Sequence, residues 1–315
     1  MYDIVALGEL LMDISQAGLG EDGCTMLAAH PGGAPANVLA SAAAMGVSTA
    51  MMAKVGQDAF GKELIASLEK AGVNARAVLM DPKVFTTLAF VTLDERGETE
   101  FSFVRQPGAD TRLRYEDVDL RLIDQCKIFH FGSLSMTDQP ARDATVRAVA
   151  YAREKGKLIS FDPNLRAPLW KDLDKARERM LWGMSRADIV KIGRDEAQFL
   201  FDLDPVPAAD KLRREYSVKL VFVTAGENGC YYAGPNGSGF VESIPGIKVK
   251  DTTGAGDIFT GAALAEILRI GKELLDLSAQ ELHQIVSFAS KAAGLSTTRS
   301  GGINSVFTRA EVEAL

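Results

Sequence analysis

Short runs dominated by apolar residues recur along this chain, separated by longer stretches of helical period. Ile4-Val5-Ala6-Leu7 ends at Gly8. Lys127 to Phe131, Leu158 to Phe161, Asp188 to Ile192 and Lys219 to Thr224 follow at intervals. A strand without polar alternation is one buried on both faces, as in a parallel sheet covered by helices. Between these runs the helical segments carry recognisable ends. An alanine-rich stretch has Pro35 in its first turn and runs to Met45-Gly46. Another spans about Asp58 to Ala71 and is closed by Gly72, and a third spans Asp138 to Lys155. Ser278-Ala279-Gln280-Glu281 is a capping box that opens a long helix to about Leu295. Strands alternating with helices predict an α/β fold with a doubly wound, mostly parallel sheet flanked by helices.

One stretch breaks the rhythm. Thr87 to Leu93 and Thr99 to Val104 are β-rich and flank Asp94-Glu95-Arg96-Gly97-Glu98, which reads as a hairpin. With residues 15–30 it would form a separate small sheet. The expected division is an α/β core of residues 1–14, 31–82 and 108–315, and a small β unit of 15–30 and 83–107. A second hairpin is expected between Tyr231 and Ile244, turning at Asn236-Gly237.

Composition narrows the function classes. The 315 residues are 47% hydrophobic and 24% charged, with a net charge of −7. That length buries a large core and suggests about two domains. The negative charge argues against nucleic acid or an anionic membrane as partner. Cys24, Cys126 and Cys230 are far apart, as are His30, His130 and His283, so neither a disulfide framework nor a zinc site is expected. The N-terminus has no basic and apolar leader, and no run of about 18 apolar residues could span a membrane. A reduced, cytoplasmic protein is the expectation.

The candidate chemistry centres on Asp251-Thr252-Thr253-Gly254-Ala255-Gly256-Asp257, followed by an apolar helix from Ile258. Gly254, Ala255 and Gly256 lie where a loop becomes a helix. The first helical amides there lack internal partners and the dipole is positive, so an anion such as phosphate is welcome. Asp257 repels anions, and its presence makes sense as the base that takes a proton from a hydroxyl attacking that phosphate. The plainer alternative is a glycine C-cap followed by an aspartate N-cap. A competing phosphate loop, Gly56 to Lys62, fits G-x-x-x-x-G-K, but Glu63 stands where a Ser or Thr must bind magnesium, so that reading is rejected. Polar residues also follow the strands, where open α/β sheets bind ligands. They are Asp13, the cluster Phe161-Asp162-Pro163-Asn164-Leu165-Arg166, and Lys191 with Glu196.

These strings together resemble the PfkB-type carbohydrate kinase family that contains ribokinase and fructokinase. The resemblance rests on Asp251 to Gly261, on Pro31-Gly32-Gly33-Ala34-Pro35-Ala36-Asn37, and on Val55 to Gly61. It covers nearly the whole chain, and the glycine-asparagine signature is most similar to bacterial fructokinases. It implies a ribokinase-like fold in which the small sheet is a lid over the sugar and often the dimer contact. It implies Asp257 as catalytic base and Gly254, Ala255 and Gly256 as the anion hole. Asp13, Gly32, Gly33 and Asn37 would hold the sugar, with Arg105 and Arg166 near substrate or phosphate. Lys191, Thr224, Gly226, Gly229, Gly256 and Ser290 would contact the nucleotide. Glu196 would reach magnesium through water, although Gly193 occupies the position where relatives often have asparagine. Asp251 and Thr253 would enclose a monovalent cation such as K⁺ in some relatives. The implied activity is Mg-ATP-dependent phosphorylation of a sugar's primary hydroxyl, fructose to fructose 6-phosphate first. A 2-keto-3-deoxygluconate kinase using Arg105 and Arg166 on the carboxylate, a nucleoside kinase, and a non-catalytic sugar sensor are the alternatives.

Overall fold

The computed structural model describes residues 1–93 and 99–315. In chain order the strands are β1 (Ile4–Leu7), β2 (Leu11–Leu19), β3 (Thr25–Gly32), β4 (Thr49–Gly56), β5 (Val73–Asp81), β6 (Leu88–Leu93), β7 (Thr99–Val104), β8 (Ile128–Gly132), β9 (Leu158–Asp162), β10 (Ile189–Gly193), β11 (Leu220–Thr224), β12 (Cys230–Gly234) and β13 (Gly237–Val241). The helices are α1 (Ala34–Ala44), α2 (Ala59–Lys70), α3 (Leu120–Asp124), α4 (Ala141–Glu154), α5 (Leu173–Met184), α6 (Arg194–Phe201), α7 (Pro205–Glu215), α8 (Ala255–Ile270), α9 (Ala279–Ser296) and α10 (Arg309–Glu313).

Nine strands form one sheet in the order β13-β12-β11-β10-β9-β8-β1-β4-β5. All neighbours are parallel except β11-β12 and β12-β13, which form the antiparallel edge hairpin. β1 shows why the strand sequences lack polar alternation. Ile4 and Ala6 join the core beneath α1, α2, α8 and α9, while Val5 and Leu7 join the core beneath α4, α5 and α7. Both pleat faces are buried. From β1 the chain winds outward to β4 and β5, then returns to β8 on the other side of β1 and winds out through β9, β10 and β11. The reversal opens a crevice beyond the carboxyl ends of β1 and β8, where doubly wound folds place their ligands.

The second sheet has the order β3-β2-β6-β7. It takes up both expected segments but starts earlier and ends later, since β2 begins at Leu11 and β3 runs to Gly32. Only Gly8, Glu9 and Leu10 separate β2 from β1, so the small sheet rises directly from an inner strand of the large one. Asp13 therefore stands on a strand of the small sheet rather than in a strand-end loop. The turn Asp94-Glu95-Arg96-Gly97-Glu98 lies outside the described residues. The rejected phosphate loop is spent on another job. The Gly61 amide donates to Asp58 Oδ1 at 2.8 Å and the Thr86 amide to Asp58 Oδ2 at 2.8 Å, so the aspartate that caps α2 takes the place an anion would need.

Helices α1 and α8 pack closely. Residues 34–42 of α1 are all buried, and α8 contributes Gly261, Ala262, Ala263 and Ala265. Ser41 Oγ donates to Ile258 O at 2.8 Å. A β-carbon at Gly261 would lie 2.3 Å from Val38 O, a backbone atom that cannot swing away. Gly261→Ala gains about 1 kcal/mol of helix propensity but forces the helices apart, at a cost of about 1–3 kcal/mol. Net destabilisation is expected, measured by denaturant unfolding, together with loss of whatever activity α8 supports. An unchanged midpoint and slope would show that the two helices have slack.

Candidate functional site

The glycine-rich turn does what its sequence demands. Gly254 caps α8 in the left-handed region with φ of 77°, which only glycine adopts without strain, and it turns the chain so that α8 begins at Ala255. Two cavities meet at this helix end. One, of about 980 Å³, lies between the two sheets and is lined by Asp13, Gly33, Asn37, Arg166, Gly254 and Asp257 among others. The other, of about 730 Å³, is mostly apolar. Its walls include Thr224, Gly226, Gly229, Ala255, Gly256 and Ser290. Val249 and Thr252 line both. Of the residues expected to hold sugar, Asp13, Gly33, Asn37 and Arg166 line the first chamber and Gly32 and Arg105 do not; of those expected to hold nucleotide, Thr224, Gly226, Gly229, Gly256 and Ser290 line the second and Lys191 does not.

Asp257 is 5% exposed. Asn37 Nδ2 donates to its Oδ2 at 2.8 Å and Asn164 Nδ2 donates to its Oδ1 at 3.2 Å. Burial raises its carboxyl above the usual range, and the Asn37 hydrogen bond, Lys191, Arg166 and the Asn164 hydrogen bond oppose that rise. A buried carboxylate held by amides on the wall of the chamber between the sheets is suited to accept a proton.

Lys191 is buried in the middle of β10 with its ammonium 3.2 Å from Asp162 Oδ2. Neither Asp162 oxygen has a well-aligned hydrogen bond. Burial pulls the Lys191 ammonium down, but Asp162, Glu196 and Asp257 more than offset this and keep it charged. A β-carbon at Gly256 would meet Lys191 Nζ at 2.8 Å. Glycine is needed there because the ammonium lies directly beneath the first turn of α8. The positive end of the helix and a buried cation coincide.

The glycine pair also has steric reasons. A β-carbon at Gly32 would fall 2.3 Å from Asp13 Oδ2, and one at Gly33, whose φ is 115°, 2.5 Å from Glu9 O. Asp13 is pushed up to about 7 by burial, opposed by Arg166 and reinforced by Asp257 and Asp251.

Three expected residues have protein partners that the sequence did not show. Arg105 is buried, ion-paired to Asp110 at 2.5 Å, and donates to Thr137 Oγ1 and Leu134 O. Its guanidinium joins the small sheet to the core instead of facing the chamber. Glu196 accepts the Gly193 amide through Oε2 and the Leu165 amide through Oε1, both at 2.7 Å, so it ties the ends of β9 and β10 together. Asp251 accepts the Thr253 and Gly301 amides at 2.9 Å. Burial raises the Asp251 carboxyl, but these amides outweigh it and hold the group below its usual range. Among the described residues no group of three His, Cys, Asp or Glu side chains is arranged to hold a metal ion.

Sequence reasoning did not single out Glu9, Asp162 or Asn164. Asp162 and Asn164 belong to the strand-end cluster it did notice, but their partners lie 29 and 93 residues away in sequence. Glu9 follows Gly8 directly after a buried strand, which was the available signal. Its Oε1 accepts the Ala34 amide at 3.1 Å and its Oε2 has no partner. Burial pushes its carboxyl up to about 7, with Asp110 reinforcing and Arg105 opposing. A folded-state value above the usual 4.5 means that the native protein holds the proton more tightly than the unfolded chain. Its stabilising effect is complete below about 4.5 and lost as pH rises through about 7. From about pH 5 to about pH 8 the wild type is expected to lose about 2–3 kcal/mol more than Glu9→Gln. Unfolding free energies across pH check this, and parallel curves would refute it.

Known proteins bear on the same geometry. The model of the pfkB family carbohydrate kinases matches residues 1–309. Fructokinase-1 of Oryza sativa subsp. japonica is 40% identical over 316 residues, covering 98% of this chain and 96% of that protein. The structure of a fructokinase from Xylella fastidiosa with bound ATP superposes with a TM-score of 0.91 at 29% identity, covering 100% of this chain and 98% of that one. A double-mutant fructokinase from Vibrio cholerae, with fructose, ADP and a potassium ion bound, gives 0.87 at 28% identity, covering 99% and 98%. With a doubly wound sheet, a second small sheet and a glycine turn ending at a buried aspartate, this chain belongs to the pfkB family of carbohydrate kinases.

Proposed function

We propose that this carbohydrate kinase is a fructokinase that transfers the γ-phosphoryl group of ATP to the 6-hydroxyl of fructose. The observation that carries the reading is the placement of Asp257, buried on the first turn of α8 where the two chambers meet. The name and bound fructose of the relatives favour fructose among sugars.

In this mechanism the sugar lies in the chamber between the sheets, held by Asp13, Gly32, Gly33 and Asn37, with Arg166 beside it. Its hydroxyl O–H bond breaks as Asp257 takes the proton, and the freed oxygen pair forms a bond to the γ-phosphorus. The bond from that phosphorus to the β-phosphate bridging oxygen breaks, and ADP leaves. Charge growing on the transferred group faces the amides of Gly254 and Gly256, with Lys191 below them, whereas the Ala255 amide, also expected in this role, donates to Thr252 O at 3.2 Å. Preorganised donors of this kind are each worth about 3–4 kcal/mol. The apolar chamber bounded by Thr224, Gly226, Gly229 and Ser290 receives the adenosine. Magnesium, when bound on the nucleotide phosphates, would neutralise their charge. Glu196, whose oxygens are occupied by amides, fits only a contact through water, the usual manner for this ion. Asp251 and Thr253 are the candidates for a nearby K⁺, and Asp251 is held ionised as a cation site needs.

The small sheet acts as the lid that keeps water, a competing acceptor, from the phosphate. Its Leu19, Met26, Leu27 and Val104 are exposed, which suits burial against a second copy in a homodimer. No helix among the described residues is long and apolar enough to cross a membrane, and all three cysteines are free, which favours the cytoplasm. A 2-keto-3-deoxygluconate kinase would need cations for the substrate carboxylate. With Arg105 committed to Asp110, Arg166 is what remains of that pair.

ADP release from Mg-ATP is to be measured with fructose, ribose, glucose, 2-keto-3-deoxygluconate and adenosine. The expected result is turnover with fructose, reduced by about 10²–10⁴-fold in Asp257→Asn. Turnover restricted to the keto-acid would move the substrate, and sugar binding without turnover would make the protein a sensor.

A further inference from the structure

Asn164 occupies an unusual backbone position. It follows Pro163 at the end of β9 and has φ of 48°, in the left-handed region that costs most residues about 1–2 kcal/mol. Asparagine and glycine tolerate it best. The turn is anchored on both sides. Ser133 Oγ donates to Pro163 O, and the Leu165 amide donates to Glu196. The outcome is a buried side chain, 7% exposed, with its amide nitrogen aimed at Asp257 Oδ1.

Asn37 supplies the matching donor on the other oxygen, so the carboxylate is gripped across both edges. The two grips differ. The Asn37 bond is 2.8 Å, and it comes from a helix packed rigidly on α8. The Asn164 bond is longer, at 3.2 Å, and comes from a strand-end turn. Oδ1 is thus the less committed oxygen, with more capacity left to accept a proton. Lys191 from β10, Arg166 from the β9 turn, Asp162 from β9 and Asp13 from β2 are the charged groups around this carboxyl.

We infer that Asn164 is a positioning residue for phosphoryl transfer, holding Asp257 Oδ1 toward the acceptor hydroxyl and keeping it ionised until it receives that hydroxyl's proton. This rests on the kinase reading for the reaction, whereas the grip itself does not. The left-handed conformation serves the side chain's aim: from an extended backbone the amide would point elsewhere. Strain of this kind is kept where it orients a working group.

Two variants keep the backbone and change only the side chain. Asn164→Gly adopts the same φ freely and removes the donor. Asn164→Asp tolerates the same φ and replaces the donor with an acceptor that repels Asp257. With Mg-ATP and fructose, kcat is expected to fall about tenfold or more in both. KM for sugar and ATP should stay within about threefold, and the acid limb of the kcat profile should move to higher pH, because an ionised carboxylate has lost a donor. A structural role alone would lower melting temperature and leave the pH limb in place. Wild-type kcat and an unmoved limb in Asn164→Gly would overturn the inference. If the wild type turns over no sugar at all, the kinase reading fails by itself. The Asp257 carboxyl can then still be titrated by infrared difference spectroscopy, its band identified as the one lost in Asp257→Asn. An upward shift in Asn164→Gly supports the grip, and no shift overturns it.

Discussion

Everything at this site depends on how closely α1 approaches α8. The two helices touch through alanines and Gly261, with Ser41 bonded to the Ile258 carbonyl, and that approach sets Asn37 against Asp257. A methyl group at the crossing is larger than the tolerance of a hydrogen bond. The small side chains of α1, which look like mere helix formers, are therefore a condition of the chemistry. They let an asparagine from the start of the chain meet an aspartate 220 residues later.

The site concentrates charge to an unusual degree for buried volume. Glu9, Asp13, Asp162 and Asp257 are carboxyls that burial raises, and Arg105, Arg166 and Lys191 are the cations set near them. Each carboxyl has a specific counterweight: an amide for Glu9, a guanidinium for Asp13, an ammonium for Asp162 and two side-chain amides for Asp257. Breaking such a pairing leaves one group alone in low dielectric, which costs more than the pairing itself contributes. Substitutions here should therefore couple strongly to one another rather than add.

The fold was legible because its signals are local. Buried strands with apolar runs, a proline in the first turn of α1, glycines ending α1 and α2, and the capping box of α9 each announce themselves within a few residues. The α8 turn was legible for the same reason, since a helix N-terminus with glycines carries its own chemistry. What could not be read is partnership across the chain. Arg105 carried no sign of its pairing with Asp110 and Leu134, and Glu196, expected to reach magnesium through water, carried no sign that it also ties the ends of β9 and β10 together. Asn164 was noticed only as one polar residue in a cluster. Its direction depends on a single backbone torsion that no pattern of residue types reports.

The way the small sheet is joined to the core has a mechanical consequence. Four chain segments cross between them: 8–10, 32–33, 82–87 and 105–108. The last two are locked together, because Asp110 accepts from both Thr87 and Arg105 out of contact with solvent. The first two are glycine-bearing, and both border the chamber beside Asp13. The buried ion pair is thus the firm joint between the two sheets, and the glycine-bearing links are the ones that border the chamber. A residue exchanged there to admit a different acceptor also changes the stiffness of the joint, so altered selectivity and altered turnover would be inherited together.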